Sequence, residues 1–112
     1  MDRTHQGPLY KRKGFVMKEN KFQADLKKEL KSRFPGCIVT KLDSADIQGI
    51  PDLLVLYKDK WAALEVKKSA TAPHRPNQDY YVEKMDNMSF SKFIYPENKE
   101  EVLDELHQAF ES

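Results

Sequence analysis

The chain reads as a single α/β domain: a mixed central sheet with helices packed on its faces. Three observations predict it. Phe22, Leu26 and Leu30 recur at helical spacing near the start, and Val102, Leu103, Leu106 and Phe110 do so near the end. Two apolar runs, Leu53 to Tyr57 and Trp61 to Lys68, flank a short Lys58-Asp59 turn. A helix-length segment then precedes one more β-rich run, Phe90 to Tyr95. The resulting order is α-β-β-β-α-β-α. Strands and helices alternate only late in it, which implies a mixed sheet.

Each element follows from local chemistry. Residues 1–14 show no apolar period and contain Gly7, Pro8 and Gly14, so a flexible basic arm is expected ahead of one domain over residues 15–112. A helix is predicted from Lys18 to Arg33, ended by Pro35-Gly36. Ile38 to Leu42 carries β-branched residues and predicts a strand. Asp43 to Pro51 is a polar loop with Gly49 as a hinge. The nearly unbroken Leu53–Tyr57 run predicts a strand covered on both faces. Asn77 to Met88 predicts a helix whose Tyr80, Tyr81, Met85 and Met88 pack on the sheet.

Length and composition bound the function. A chain of 112 residues needs no disulfide to hold a core. Cys37 is the only cysteine and is expected to be buried and reduced, as in an intracellular protein. No apolar run approaches the roughly 18 residues of a membrane span, and no signal-peptide pattern opens the chain. A cytoplasmic protein with no membrane partner is expected. The net charge is only +1. Its distribution is uneven. Residues 18–33 hold six basic and three acidic groups, and residues 58–75 hold five and two. Residues 79–112 hold three basic and nine acidic groups. The basic segments flank the central apolar pair, which suits a polyanionic partner such as DNA.

The chemistry concentrates in Gly49-Ile50-Pro51-Asp52 and Glu65-Val66-Lys67. If the turn is two residues long, Tyr57 faces Lys60 and Asp52 faces Glu65. The carboxylates are then cross-strand neighbours with Cβ atoms about 5 Å apart. A three-residue turn would put Val66 opposite Asp52 instead. Like charges so placed repel unless a cation lies between them. Strand alternation puts Glu65 and Lys67 on one face. Two acids suit Mg²⁺ or Mn²⁺, with Lys67 left to hold or deprotonate water or to neutralise a phosphate. Glu19 lies on the Phe22/Leu26 stripe and is a candidate further acid, with Glu29 as the competing choice. His74 and Arg75 follow the Lys67 strand and are candidate contacts to a DNA backbone, as are Lys68 and the arm residues Lys11, Arg12 and Lys13. Neither a zinc motif nor a phosphate loop of the GxxxxGK type is present, and no organic cofactor is expected.

These residues resemble the PD-(D/E)xK nuclease motif, and the helix of Glu19-x-x-Phe22-Gln23 with the α-β-β-β-α-β order is similar to that superfamily's restriction-endonuclease-like core. The closest resemblance, over roughly residues 17–110, is to the VRR-NUC group, related to Holliday-junction resolvases and found in phages as stand-alone domains. Val66-Lys67-Lys68 stands where that group has Val-Arg-Arg. The resemblance implies metal ligands at Asp52, Glu65 and the Val66 carbonyl, with Glu19 joining directly or through water. It implies Lys67 as catalytic lysine and Gln78 as a residue that orders the site. The expected function is metal-dependent DNA hydrolysis, selective for branched DNA such as a four-way junction and carried out by a homodimer. The last helix or the Phe90–Tyr95 strand is expected to supply the dimer contact. A nickase or non-specific endonuclease is the first alternative, and a non-catalytic nucleic-acid-binding module the second.

Overall fold

A computed structural model describes the backbone of residues 7–112 and the side chains of residues 19–112. Its elements are α1 (Gly7–Arg33), β1 (Ile38–Lys41), β2 (Leu53–Tyr57), β3 (Lys60–Val66), α2 (Pro76–Met88), β4 (Ser91–Ile94) and α3 (Lys99–Glu111). The predicted order holds. The α1 backbone begins at Gly7, well ahead of the expected Lys18. Pro8 is compatible with this because a first-turn proline has no intrahelical N–H bond to lose. Residues 1–6, and the Lys11, Arg12 and Lys13 side chains named as DNA contacts, lie outside the described residues.

The sheet runs β1-β2-β3-β4, antiparallel for the first two pairs and parallel for β3 with β4. Its two faces differ. One carries Leu53, Val55, Tyr57, Ala62, Leu64, Val66 and Ile94, and it packs on Leu26, Leu30 and Phe34 of the α1 side and on Val102, Leu103, Leu106 and Phe110 of α3. Each buried Val, Leu, Ile or Phe among them contributes about 1.5–3 kcal/mol. Phe34 anchors an aromatic group with Tyr57 and Phe110, its ring centroid 5.3 and 5.1 Å from theirs. Gly36, at φ +90°, turns the chain from α1 into β1.

The other face is only partly covered. There α2 packs over β3 and β4. Leu56 remains 38% exposed and its β1 neighbour Ile38 59%. The strand buried along most of its length is therefore β3, whereas β2 is fully covered on one face only. The α2 contact also differs from expectation. Val82 is its buried residue, Tyr81 and Met85 are half-buried, and Tyr80 and Met88 point outward. Cys37 is half-buried rather than buried, with Sγ 3.7 Å from the Leu30 carbonyl. The apolar side of α3, one of the two expected dimer contacts, is occupied by the chain's own core.

Ion pairs join α1 to α3. Arg33 meets Glu100 and Asp104 at 3.2 Å each, and Lys99 meets Glu29 at 2.8 Å. The Glu29 carboxylate, as hydrogen-bond acceptor and neighbouring charge, raises the Lys99 pKa. No described helix is long and apolar enough to cross a membrane.

Candidate active site

The two-residue turn sets the geometry. Tyr57 pairs with Lys60 and Leu53 with Leu64. One step further, Asp52 stands opposite Glu65, as the shorter turn predicts. The Val66 N–H donates to Asp52 Oδ2 at 2.9 Å, and the Leu42 N–H donates to the Asp52 carbonyl at 2.9 Å. Lys58 accommodates the turn in the left-handed region at φ 56°.

Gly49 delivers Asp52 to this position by close packing rather than by hinging. It sits at φ +94°, and a Cβ there would lie 2.3 Å from Asn77 Cβ and 2.8 Å from its carbonyl carbon. Asn77 Nδ2 donates to the Gln48 carbonyl at 3.3 Å. The 43–51 loop is thus seated on the first turn of α2.

Glu65 is 3% exposed. Its Oε2 accepts from Gln78 Nε2 at 3.0 Å, whereas Oε1 is buried with no hydrogen-bond partner. Burial pushes its pKa up to about 8, and the Asp52 charge pushes the same way. The Lys67 charge opposes the rise, while the Glu19 charge adds to it.

Lys67 is held from three sides. Nζ donates to Gln78 Oε1 at 2.7 Å and to the Pro73 carbonyl at 3.1 Å, and it lies 3.9 Å from Glu65 Oε2. Gln78 is the hub of this arrangement. It stands at the third position of α2, where Oε1 also accepts from the Arg75 N–H at 3.0 Å. That is the reach-back half of a capping box. The spacing of Arg75-Pro76-x-Gln78 was the available sequence signal for it. The roles of Pro73, Asn77 and Phe93 left no such signal.

One open cleft of about 820 Å³ collects Glu19, Asp52, Glu65, Val66, Lys67, Lys68, His74, Arg75 and Gln78. Glu19 therefore faces the site, whereas Glu29 is tied to Lys99. Among the described residues no three His, Cys, Asp or Glu side chains gather into a metal-holding cluster. Glu19 thus belongs to the wall of the cleft rather than to a three-carboxylate cluster with Asp52 and Glu65. The donor set still fits a hard divalent cation. It offers two adjacent carboxylates, one with an unpartnered buried oxygen, and such ions keep several waters. His74 is less free for DNA than its sequence position suggests: Nδ1 lies 2.9 Å from Asp79 Oδ1, and the ring stacks on Phe93.

No family model and no curated protein matches the chain. A solved structure described as a VRR_NUC domain does match, with a TM-score of 0.58 and 29% identity. The match covers 70% of this chain and 83% of that one. The chain's own mixed four-stranded sheet with three helices is thus similar to that VRR_NUC domain and has a restriction-endonuclease-like fold of the PD-(D/E)xK nuclease type.

Proposed function

We propose that the chain is an endodeoxyribonuclease that hydrolyses DNA phosphodiesters with Mg²⁺ or Mn²⁺ and selects branched DNA, the four-way junction above all. One observation carries the hydrolytic reading: a buried carboxylate with an orphaned oxygen, faced by a second carboxylate and flanked by an anchored lysine. Two facing carboxylates, one of them buried, cost stability, and a cation offsets that cost.

Asp52, Glu65 and the Val66 carbonyl would hold the ion, with Glu19 reaching it through water. The ion would supply a more acidic bound water and offset charge on the attacked phosphate. Gln78 and the Pro73 carbonyl orient Lys67 beside the carboxylates, where its positive charge meets an incoming phosphate. Lys68 and Arg75 line the cleft and would meet the neighbouring backbone. The junction preference and the homodimer rest on the family resemblance and on the small footprint of one domain. Paired cuts across a four-way junction need two sites related by symmetry.

The test is incubation with labelled four-way junction and matched linear duplex, in Mg²⁺, Mn²⁺ or EDTA, beside Asp52→Asn. Paired cuts in the junction alone, lost in EDTA and in the variant, are expected. Cutting of both substrates would discard the junction preference. Binding without cutting of either would favour the non-catalytic module. Light scattering at working concentration checks the dimer, and a monomer mass would remove it.

A further inference from the structure

Lys67 owes its position to a loop, and that loop is fixed by a side chain outside the motif. The groups that hold Nζ are the Pro73 carbonyl and Gln78 Oε1. Gln78 Oε1 is itself set by the Arg75 N–H. His74 lies between these two backbone groups in sequence. Its ring stacks face to face on Phe93, centroids 3.9 Å apart and planes 11° from parallel. Its Nδ1 meets Asp79 in the first turn of α2. Phe93 is the parallel-ladder partner of Glu65. The His74 ring therefore references the loop to the strand next to the metal-binding acid and to the helix that carries Gln78. Earlier in the loop, the Ala70 N–H donates to Glu97 Oε1 at 3.2 Å.

We infer that His74 is a positioning residue for Lys67: its stack on Phe93 and its contact with Asp79 fix the Pro73 carbonyl and the Arg75 N–H, which together aim Nζ at the cleft. This assigns the His74 side chain to loop geometry rather than to the DNA backbone. The inference rests on the nuclease reading for its kinetic test and on the fold alone for its spectroscopic one.

Removing the ring frees the loop but leaves the cleft's charge nearly intact. His74→Ala is expected to lower kcat by about 10–100-fold, the scale of a misplaced catalytic group, with KM and DNA affinity unchanged. His74→Phe keeps the stack and should recover kcat to within about threefold of wild type. Phe93→Leu, which removes the stacking partner, should reproduce the His74→Ala loss and guards against a variant that fails to fold.

Amide spectra of the DNA-free protein give a readout independent of turnover. The Gln78 side-chain and Arg75 backbone signals should move in His74→Ala and return in His74→Phe. A rise in KM or in the DNA dissociation constant with kcat unchanged would overturn the inference in favour of a backbone contact. Unchanged kinetics and unchanged Gln78 and Arg75 signals would overturn it outright. If wild type cuts no DNA, the nuclease reading fails, and the amide shifts still decide whether His74 sets the loop.

Discussion

Glu65→Gln should stabilise the metal-free protein, and the gain should grow with pH. In the unfolded chain Glu65 ionises near its ordinary 4.5, whereas in the fold burial and the Asp52 charge hold it to about 8. Below pH 4.5 both states are protonated and the site costs nothing through ionisation. Between 4.5 and about 8 the unfolded chain releases the proton and the fold keeps it, so stability falls as pH rises. Above about 8 both are ionised and the full cost is present. Each unit of separation is worth about 1.4 kcal/mol. Relaxation around the pair reduces the full figure, so a difference of about 2–4 kcal/mol should open between variant and wild type from pH 5 to 8.5.

Urea unfolding in EDTA across that range measures it, and comparing the two proteins cancels the titrating groups that do not interact with Glu65. Mg²⁺ should reverse the wild-type trend by favouring the ionised pair and should leave the variant unmoved. Parallel pH profiles for the two proteins in EDTA would refute the reasoning, because Glu65 would then ionise alike in both states.

Other perturbations follow from single contacts. Gly49→Ala places a methyl against the Asn77 backbone at a left-handed φ, so a loss of about 2–4 kcal/mol is expected in thermal or urea unfolding. Ser91→Ala removes a hydroxyl that is 1% exposed and has no hydrogen-bond partner, and should raise stability by about 1 kcal/mol in the same assay. Lys58→Gly relieves the one described non-glycine residue at positive φ and should gain about 0.5–1 kcal/mol. Sodium chloride at 1 M should cost the wild type little through the exposed carboxylates that meet Arg33, because such pairs contribute about 0–1 kcal/mol each.

The parts of this molecule legible in its sequence are those governed by period and register. A two-residue turn was enough to predict that Asp52 stands opposite Glu65, because strand pairing propagates from the turn. The Leu26/Leu30 stripe located the inner side of α1. Phe34 escaped because it lies just past the last helical residue, where the period no longer applies. The cover of β2 was misjudged because an apolar run looks the same whether both faces are packed or one is left open at Leu56. In α2 several aromatic and methionine residues competed for the inner face, and sequence does not show where the helix axis settles. Of the two hydrogen-bond anchors of Lys67, Gln78 was named through the family resemblance, whereas the Pro73 carbonyl was illegible because backbone carbonyls have no letter of their own.

The parallel pairing of β3 with β4 has a consequence for the order of folding. The strand that carries Glu65 gains its β2 partner from an adjacent hairpin, but its other partner comes from residues 91–94, after a whole helix has been made. Phe93, which seats the loop behind Lys67, belongs to that late strand. A nascent chain that has emerged only as far as α2 holds every residue of the motif yet lacks half the scaffold of its central strand. Contacts of such sequence separation form late. The candidate site is therefore completed only when the segment that carries β4 has docked.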